Sequence, residues 1–374
     1  MAQTPVILFA GGGTGGHLYP GISVAQELPE VLPGVEPLFL CTQRPIDATI
    51  LGPTGYRYIA QPIVPPHRSI GGLLQFWRSW RETRELLRKV LREHDVVAVL
   101  GLGGYAAGVA VKDAAKRKIP AAVVNPDVIP GRANQYLLSY VQKVCCQFEA
   151  TAEHVSASAR HKLVVTGCPI RRELSALPPR SEAAATFGLD AQRPTLVITG
   201  ASQGSLTVNE GTVEALGRIK LQGWQVLHLA GKDHVLAVRE AYRQAKLDAT
   251  VLDFTSEMHK VWAVADLAVS RAGASSCAEL TACGVPSILM PYPYHKDMHQ
   301  RYNAEVLVKA GAAMLCDDAM DRKKNAERLV PMLESLLYDT SRRLAMAQAA
   351  RRLGKPDAAR KVAEVLRELT RAGR

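Results

Sequence analysis

The stretch Val6–His17 reads VILFAGGGTGGH and decides the fold of the first half of the chain. Five apolar residues run directly into a loop in which five of six positions are glycine. This pattern indicates a buried strand that turns tightly into a helix, and Pro20 suits the first turn of that helix. The loop fits G-x-G-x-x-G, a spacing that lets a ligand approach backbone N–H groups; a tight turn without a ligand is the alternative.

The same pattern recurs in the second half of the chain. Leu196–Thr199 leads into Gly200–Gly204 and then into a helix as far as Leu216. Short β-branched runs alternate with helical segments around both loops, which is typical of parallel α/β sheets covered on both faces. The sequence therefore predicts two Rossmann-like domains. The predicted strands are Val6–Ala10, Pro37–Thr42, Val96–Leu100, Ala121–Val124, Lys143–Cys146, Leu163–Val165, Thr195–Thr199, Trp224–Ala230, Thr250–Phe254, Leu267–Ser270 and Ser287–Pro291.

The length of 374 residues fits two domains of ordinary size. We expect an N-terminal domain over 1–165, a C-terminal domain over 166–335, and C-terminal helices over 336–374 that pack back toward the N-terminal domain. The proline-containing segment Leu174–Arg193 is predicted to be the linker.

The composition is that of a globular protein. Apolar residues make up 47% and charged residues 22%, and no apolar run approaches the ~18 residues that span a bilayer. Met1–Pro5 carries no basic residue, so we do not expect a signal peptide. We expect a cytosolic location. The seven cysteines are odd in number and form no C-x-x-C pair, which predicts reduced thiols in the core.

The net charge of +11, from 46 basic against 35 acidic residues, favours an anionic partner. Nucleic acid, phosphorylated substrates and an anionic membrane surface all fit this charge. Aromatic residues are only 6% and no basic motif is interleaved with them, so the sequence predicts no nucleic-acid partner.

The end of the second strand disfavours a dinucleotide-dependent enzyme. Such enzymes place Asp or Glu there to bind the ribose, whereas Cys41–Arg44 reads CTQR. Dinucleotide binding also gives no reason for His17 directly after the loop. No cofactor is predicted.

Six blocks follow one another in order over about residues 5–320: Gly11–Gly21, Gly101–Tyr105, Gly167–Arg171, Gly200–Gly204, Arg271–Glu279 and Pro291–Ala304. Together they resemble the MurG family of N-acetylglucosamine transferases. One further block departs from the family: Val124–Asp127 reads VNPD where the family has His-Glu-Gln-Asn, although Gly131 and Asn134 fit. This departure fits a divergent member of the family or a paralogue with another acceptor.

The resemblance implies the GT-B fold, in which two Rossmann-like domains face each other across a cleft. It implies transfer of GlcNAc, with inversion, from UDP-GlcNAc to the MurNAc 4-hydroxyl of lipid I, giving lipid II. That step belongs to peptidoglycan synthesis, and thereby to cell shape and division, at the cytoplasmic face of the inner membrane. The alternatives are a transferase with another lipid or small-molecule acceptor, a nucleotide-sugar epimerase and a non-catalytic sugar-nucleotide binder.

The acceptor hydroxyl needs a base, and His17 is the candidate. A helix N-terminus disfavours the protonated imidazole, so we expect a neutral ring that can accept a proton. A histidine that only orients the loop is the alternative. Asp127 is the second candidate base, with a polar turn residue as its alternative.

Two side chains are candidates for binding the UDP part of the donor. Ser202 offers a hydroxyl and backbone N–H groups to phosphate, unless it is an ordinary helix N-cap. Glu279 suits the two ribose hydroxyls, unless it is a first-turn glutamate favoured by the helix dipole.

The resemblance assigns further donor contacts. It implies that Arg171 contacts the nucleotide, that the backbone of Thr255 contacts the uracil edge, and that Gln300 holds GlcNAc hydroxyls, with Asn303 as a second candidate. A surface arginine and solvent-facing helix polarity are the alternatives. The expected donor set is completed by Thr14, Gly15, Gly16, Asp127, Ala274, Ser275 and Ser276.

No D-x-D triplet occurs in the sequence. Enzymes that hold a sugar nucleotide through a divalent metal often carry that pair of carboxylates. We therefore predict no catalytic metal, with helix dipoles and cations stabilising the departing diphosphate.

The segment 70–93 predicts contact with an anionic membrane. Trp with Arg at one helix surface is typical of a helix that lies in the lipid interface. An amphipathic helix with its aromatic residues in the core is the alternative. The predicted membrane patch is Leu73, Phe76, Trp77 and Trp80, surrounded by Arg68, Arg78, Arg81, Arg84, Arg88 and Lys89.

Overall fold

The computed structural model describes residues 4–67, 69–201, 203–294 and 297–372. The chain forms two compact units, one from Met1–Arg171 with Pro356–Arg374 and one from Arg172–Lys355. Each unit contains one β-sheet in which every neighbouring pair of strands is parallel. The prediction of two parallel α/β domains is confirmed.

The first unit has the strand order β3-β2-β1-β4-β5-β6-β7. The strands are β1 (Pro5–Ala10), β2 (Glu36–Thr42), β3 (Arg57–Gln61), β4 (Asp95–Gly101), β5 (Ala121–Asn125), β6 (Lys143–Cys146) and β7 (Leu163–Val165). The helices are α1 (Gly15–Val31), α2 (Pro45–Leu51), α3 (Ile70–Glu93), α4 (Gly108–Lys116), α5 (Arg132–Leu137), α6 (Ala157–Arg160) and, last in the chain, α15 (Ala358–Ala372).

The second unit has the strand order β10-β9-β8-β11-β12-β13. The strands are β8 (Thr195–Thr199), β9 (Gln225–Leu229), β10 (Thr250–Leu252), β11 (Ala265–Ser270), β12 (Ser287–Leu289) and β13 (Ala313–Leu315). The helices are α7 (Arg180–Thr186), α8 (Leu206–Leu216), α9 (Val235–Gln244), α10 (Met258–Val264), α11 (Ala274–Cys283), α12 (His299–Lys309), α13 (Arg322–Leu337) and α14 (Thr340–Leu353).

Both sheets reverse their strand order beside the first strand of the unit. The reversal lies between β1 and β4 in the first sheet and between β8 and β11 in the second. Open parallel sheets bind ligands at this point, outside the carboxyl ends of the strands. Both glycine loops begin there, one after β1 and one after β8.

Alternate residues of β1 face two apolar layers. Val6 and Leu8 pack on the side of α3 and α4, whereas Ile7 and Phe9 pack on the side of α1 and α15. α15 therefore covers the first sheet, while α14 packs against α11 in the second unit. The predicted tail 336–374 is divided between the two units.

Two edge strands, β3 and β13, were not predicted, and the predicted linker lies inside the second unit. β3 and β13 carry no β-branched run, and β13 has three residues. The segment Leu174–Arg193 is part of the second unit, because Arg180 donates hydrogen bonds to the Val264 carbonyl (2.9 Å) and to Asp266 (2.7 Å).

All seven cysteines are free and buried, as predicted. Burial raises the pKa of the Cys316 thiol to about 12. The Cys316 thiol is therefore a packing residue that stays protonated at neutral pH.

Candidate active site

The first glycine loop is held in place by Asp47, a fully buried residue in the first turn of α2. Its carboxylate accepts hydrogen bonds from Gly13 N–H, at 2.7 and 2.9 Å, and from the backbone N–H (2.8 Å) and hydroxyl (2.7 Å) of Thr42. A Cβ atom at Gly12 would lie 2.2 Å from Asp47 Oδ2. Glycine is therefore required at position 12 so that the carboxylate can reach the loop.

His17 lies in the first turn of α1, where its ring is oriented by the loop. Nδ1 is 3.1 Å from the Gly12 carbonyl oxygen and 3.3 Å from Thr14 Oγ1. A carbonyl oxygen can only accept, so Nδ1 carries the hydrogen and Nε2 keeps its lone pair when the ring is neutral.

The second glycine motif lies against the ring of His17. A Cβ atom at Gly104 would come within 2.9 Å of His17 Cε1, and one at Gly103 within 3.4 Å of Nε2. Both glycines have positive φ, at +71° and +100°. The glycines that follow β4 thus leave room for the imidazole to lie close to the backbone.

Asp127 follows β5 and is partly buried. Asn125 donates a hydrogen bond to the Asp127 carbonyl at 2.8 Å, and Asn134 donates to Asn125 Oδ1 and to the Val124 carbonyl at 3.0 Å. In the block that departs from the MurG family, Asn125 therefore shapes the loop that carries Asp127.

Arg171 reaches the first glycine loop through Tyr19 of α1. Its guanidinium lies over the Tyr19 ring, 4.8 Å from the ring centre. A Cβ atom at Gly15 would lie 3.0 Å from the same ring. Arg171 is thus placed beside the start of α1, which the sequence alone did not show.

The second glycine loop is held by close backbone packing. A Cβ atom at Gly204 would lie 2.1 Å from the Ala230 carbonyl oxygen, and one at Gly231 would lie 2.4 Å from the Gln203 carbonyl oxygen. The loops after β8 and β9 therefore touch through bare backbone. Ser202, the predicted phosphate contact, lies outside the described residues.

Arg271, directly after β11, is buried and joins the loops at the carboxyl end of the second sheet. Its guanidinium donates to Ser205 Oγ and Thr207 Oγ1, both at 2.7 Å, and to the Met290 carbonyl at 2.9 Å. It also forms a 2.8 Å ion pair with Asp318.

Asp318 is ionised in this pair. Burial alone would raise its pKa, but hydrogen bonds from Thr207, Asn325 and the Met320 N–H, together with the charge of Arg271, hold the pKa below its usual value. The positive charge beside the second glycine loop is therefore balanced internally.

The start of α11 presents backbone N–H groups next to the same loops. Gly273 is its N-cap and the helix begins at Ala274, so Ser275 and Ser276 lie in its first turn. Glu279 lies one turn later, which rules out the alternative of a first-turn glutamate. Its Oε2 accepts a 2.8 Å hydrogen bond from Trp262 Nε1, and this bond orients the carboxylate.

The remaining donor candidates have different surroundings. Thr255 follows β10 and its hydroxyl accepts from Glu257 N–H at 3.0 Å. Gln300 lies in the first turn of α12, where Oε1 accepts from Tyr292 N–H at 2.9 Å. Asn303 is fully buried and donates to the Ala272 carbonyl at 3.2 Å, so it supports the loop that follows β11.

The predicted membrane patch on α3 divides into an exposed and a packed half. Leu73 and Trp77 are exposed, at 44% and 57%, whereas Phe76 and Trp80 are half-buried against the core of the first unit. A Cβ atom at Gly108 would lie 3.2 Å from the Trp80 ring. For Phe76 and Trp80 the structure thus agrees with the alternative of aromatic residues in the core.

The basic residues of α3 also divide. Arg84 forms a 3.0 Å ion pair with Asp113, whose side chain is buried, so its charge is neutralised within the unit. Arg81 and Arg88 are exposed, while Arg68 lies outside the described residues. No helix in the described part of the chain is long and apolar enough to cross a membrane.

Three residues that hold the loops and side chains of the two units were not predicted from the sequence: Asp47, Arg271 and Trp262. Asp47 is a first-turn acidic residue of a short helix, and Arg271 follows a buried strand directly. Each pattern is common at a protein surface, so only the burial and the partners distinguish these residues. Among the described residues no group of three or more His, Cys, Asp or Glu side chains is arranged to hold a metal ion.

Two family models match the chain. The Glycosyltransferase family 28 N-terminal domain matches residues 7–146, and the Glycosyltransferase family 28 C-terminal domain matches residues 195–362. The matches fall on the two sheets and include both glycine loops.

Named relatives extend over the whole chain. A protein of Halothermothrix orenii named UDP-N-acetylglucosamine–N-acetylmuramyl-(pentapeptide) pyrophosphoryl-undecaprenol N-acetylglucosamine transferase is 33% identical, over 94% of this chain and 95% of that protein. The crystal structure of Acinetobacter baumannii MurG is 25% identical, with a TM-score of 0.75 over 98% of this chain and 99% of that one.

The fold alone is shared more widely. A putative UDP-N-acetylglucosamine 2-epimerase from Listeria monocytogenes has a TM-score of 0.69 at 13% identity, over 96% of this chain and 95% of that one. The fold therefore does not separate a transferase from an epimerase, whereas the end-to-end sequence identity does.

Proposed function

This chain belongs to the MurG family within glycosyltransferase family 28, and from that premise we propose that it transfers GlcNAc from UDP-GlcNAc to lipid I, giving lipid II for peptidoglycan synthesis. The observation that carries the proposal is the end-to-end identity with a relative of that name. The family expected from six sequence blocks is confirmed, and the chain is a glycosyltransferase.

His17 is the base in this proposal. Its Nδ1 faces the Gly12 carbonyl, so the Nε2 lone pair can take the proton of the MurNAc 4-hydroxyl. The hydroxyl oxygen then bonds to the anomeric carbon of GlcNAc from the side opposite the diphosphate, and the bond to UDP breaks with its electrons going to UDP. Asp127 remains the second candidate.

The second unit binds the UDP part of the donor. Glu279, oriented by Trp262, accepts hydrogen bonds from the ribose hydroxyls, and the N-terminal turn of α11 with Ala274, Ser275 and Ser276 faces the diphosphate. Thr255 contacts the uracil and Gln300 the GlcNAc ring. From the first unit, Thr14–Gly16 and Arg171 contribute to the same substrate, and Ser202 completes the set.

The exposed half of the patch on α3 binds an anionic membrane surface. Leu73 and Trp77 enter the lipid interface, and the exposed Arg81 and Arg88 meet anionic head groups, each contributing about 1 kcal/mol. A lipid-linked acceptor keeps its tail in the bilayer, so its enzyme has to work at that surface. We propose that the protein works at the cytoplasmic face of the inner membrane.

The reaction is tested with purified protein, UDP-GlcNAc and a soluble, short-chain lipid I analogue. Release of UDP together with a disaccharide product supports the proposal. Conversion of UDP-GlcNAc at C2 without an acceptor would instead identify an epimerase, and binding without turnover a sugar-nucleotide binder.

The membrane surface is tested with two single variants of neighbouring aromatics. Trp77→Ser should reduce binding to anionic vesicles and turnover of long-chain lipid I while leaving turnover of the short-chain analogue near wild type. Trp80→Ser is the matched control, because its half-buried ring should affect the free energy of unfolding first. Vesicle binding that ignores ionic strength and anionic lipid would contradict the role of the arginines.

A further inference from the structure

Asp47 and His17 contact opposite sides of one peptide group. The carboxylate accepts from Gly13 N–H at 2.7 and 2.9 Å, and the carbonyl of the same peptide, Gly12 C=O, lies 3.1 Å from His17 Nδ1. A trans peptide points its N–H and its C=O in opposite directions, so the three groups follow one another in a line of hydrogen bonds. Asp47 itself has no solvent-exposed surface.

We infer that Asp47 is a positioning residue for the base, acting on His17 through the Gly12–Gly13 peptide. We call this arrangement the Asp47–His17 relay: Asp47 carboxylate, Gly13 N–H, Gly12 C=O and His17 Nδ1–H. The inference rests on the proposed function, in which His17 Nε2 takes the proton of the acceptor.

The relay has two physical effects. A carboxylate bonded to the peptide N–H increases the negative charge on the carbonyl oxygen, because hydrogen bonds in a chain polarise one another. The carbonyl then binds Nδ1–H more strongly, which keeps the proton on Nδ1 and leaves Nε2 unprotonated. The negative charge also stabilises the imidazolium that forms when the ring takes the acceptor proton.

The backbone around the relay is built for it. A Cβ atom at Gly12 would collide with Asp47 Oδ2, and Gly13 has a left-handed φ of +84° that favours glycine. Thr42 supplies two further hydrogen bonds to the carboxylate, so Asp47 is held rather than mobile. A carboxylate directly on the ring would need no such glycines.

Asp47 is the negatively charged group of the relay, and its charged and titratable neighbours are Arg44, Tyr105 and Cys41. Arg44 donates to the Gly13 carbonyl at 3.2 Å, and Tyr105 OH lies 3.8 Å from the point where a Cβ at Gly13 would be. Burial, and after it the charge of Asp47, raise the pKa of the Cys41 thiol to about 12, so this thiol stays neutral.

The test uses Asp47→Asn, with Thr42→Val as the matched control. The asparagine has nearly the same shape but no charge, and its NH2 group meets a backbone N–H donor. Thr42→Val removes the 2.7 Å hydroxyl bond to Asp47 and keeps the carboxylate on Gly13. A purely structural role predicts the same behaviour for both variants.

Three measurements distinguish the relay from a purely structural role of Asp47. Nitrogen-15 NMR of labelled histidines, with His17→Gln identifying the His17 signals, should show the Nδ1–H tautomer in wild type and Thr42→Val and a mixture in Asp47→Asn. The kcat/KM on the soluble acceptor should stay near the wild-type value in Thr42→Val and fall in Asp47→Asn, because only Asp47→Asn loses the negative end of the relay. Its kcat should fall about tenfold or more, with UDP affinity unchanged, a part of the roughly 10²–10⁴-fold that general-base catalysis contributes.

Equal tautomers and equal kcat/KM values in the two variants would overturn the relay. If Asp47→Asn does not fold, measurements on the wild-type protein test the relay. An Nε2–H tautomer of His17 would overturn it, and so would a Gly13 amide proton without the downfield shift and slow exchange of a carboxylate-bonded N–H. An Nδ1–H tautomer together with a downfield-shifted, slowly exchanging Gly13 amide proton supports the relay. Normal turnover of His17→Ala would remove the base role alone, because the tautomer measurement does not depend on activity.

Discussion

The two glycine loops follow equivalent strands in the two sheets, yet opposite charges hold them. In the first unit the buried carboxylate of Asp47 accepts from Gly13 N–H, whereas in the second unit the buried guanidinium of Arg271 donates to Ser205 and Thr207 at the start of α8. The N–H groups of such loops commonly bind phosphate. In the first loop one of them already binds an internal anion.

This difference fits the two tasks that we propose for the two loops. An internal carboxylate beside the first loop disfavours a second anion there and suits a histidine that has to gain a proton. Beside the second loop Arg271 and Asp318 balance each other, so this pair carries no net charge that would oppose the proposed diphosphate. The absence of an acidic residue at the end of β2 argued against a dinucleotide, and Asp47 shows that the carboxylate in this region serves the loop itself.

The largest expected effect tests the first loop. His17→Ala should lower kcat by about 10²–10⁴-fold, the usual contribution of a general base, while UDP affinity stays at the wild-type value. Steady-state kinetics on the soluble acceptor and calorimetry with UDP measure the two. Near-normal turnover would transfer the role to Asp127 or to solvent, and loss of UDP binding would indicate a distorted loop.

The next largest effect tests Arg271, whose guanidinium holds the second glycine loop. Arg271→Met leaves the side chain of Asp318 buried without its cation, which should lower the free energy of unfolding by about 3–5 kcal/mol in denaturant titrations. Arg218→Met, which removes a more exposed ion pair with Glu214, is the matched control and should cost about 0.5 kcal/mol or less.

The same pair predicts a pH dependence of stability. The pKa of Asp318 is below its usual value in the folded protein, so the pair stabilises the fold above the unfolded pKa of about 3.9, and this contribution is lost as pH falls through the folded pKa. In Arg271→Met the unpaired carboxyl is relieved by protonation. The stability difference between wild type and variant should therefore narrow on acidification; a difference that widens would contradict the assignment.

A smaller effect is expected on UDP affinity, and it tests donor binding independently of the catalytic base. Glu279→Ala should weaken UDP by roughly 1.5–3 kcal/mol through loss of charge-assisted hydrogen bonds to the ribose. Trp262→Phe should weaken UDP less, because it removes only the 2.8 Å bond that orients the carboxylate. Calorimetry that finds unchanged affinity in Glu279→Ala would remove Glu279 from the donor site.

The smallest expected effect is that of chelation. Because the sequence contains no D-x-D triplet, we expect turnover in EDTA to match turnover without it. Activity that disappears and returns only with magnesium or manganese would mean that a metal, rather than the start of α11, neutralises the diphosphate.

Several features were predictable from the sequence because their signals are local. Alternating runs indicated two parallel sheets, and both glycine loops follow the predicted strands. The edge strands β3 and β13 were not predicted, because a short, half-exposed strand has few apolar residues to mark it in the sequence. The linker was misplaced because the prolines at 178 and 179 signal a break in a helix and not a break between domains.

The sequence by itself determined the strand–loop–helix order, the glycines that permit a backbone close to its neighbours, and the family. Only the tertiary structure decided which side chains satisfy the polar groups of those loops. Asp47 binds Gly13, which is 34 residues away in the sequence, and Arg271 binds Ser205, which is 66 residues away. Phe76 packs against the core, whereas its neighbour Trp77 faces solvent. A repeating apolar pattern is set within a few residues, whereas a buried charge is defined by partners that only the folded chain brings within hydrogen-bond distance.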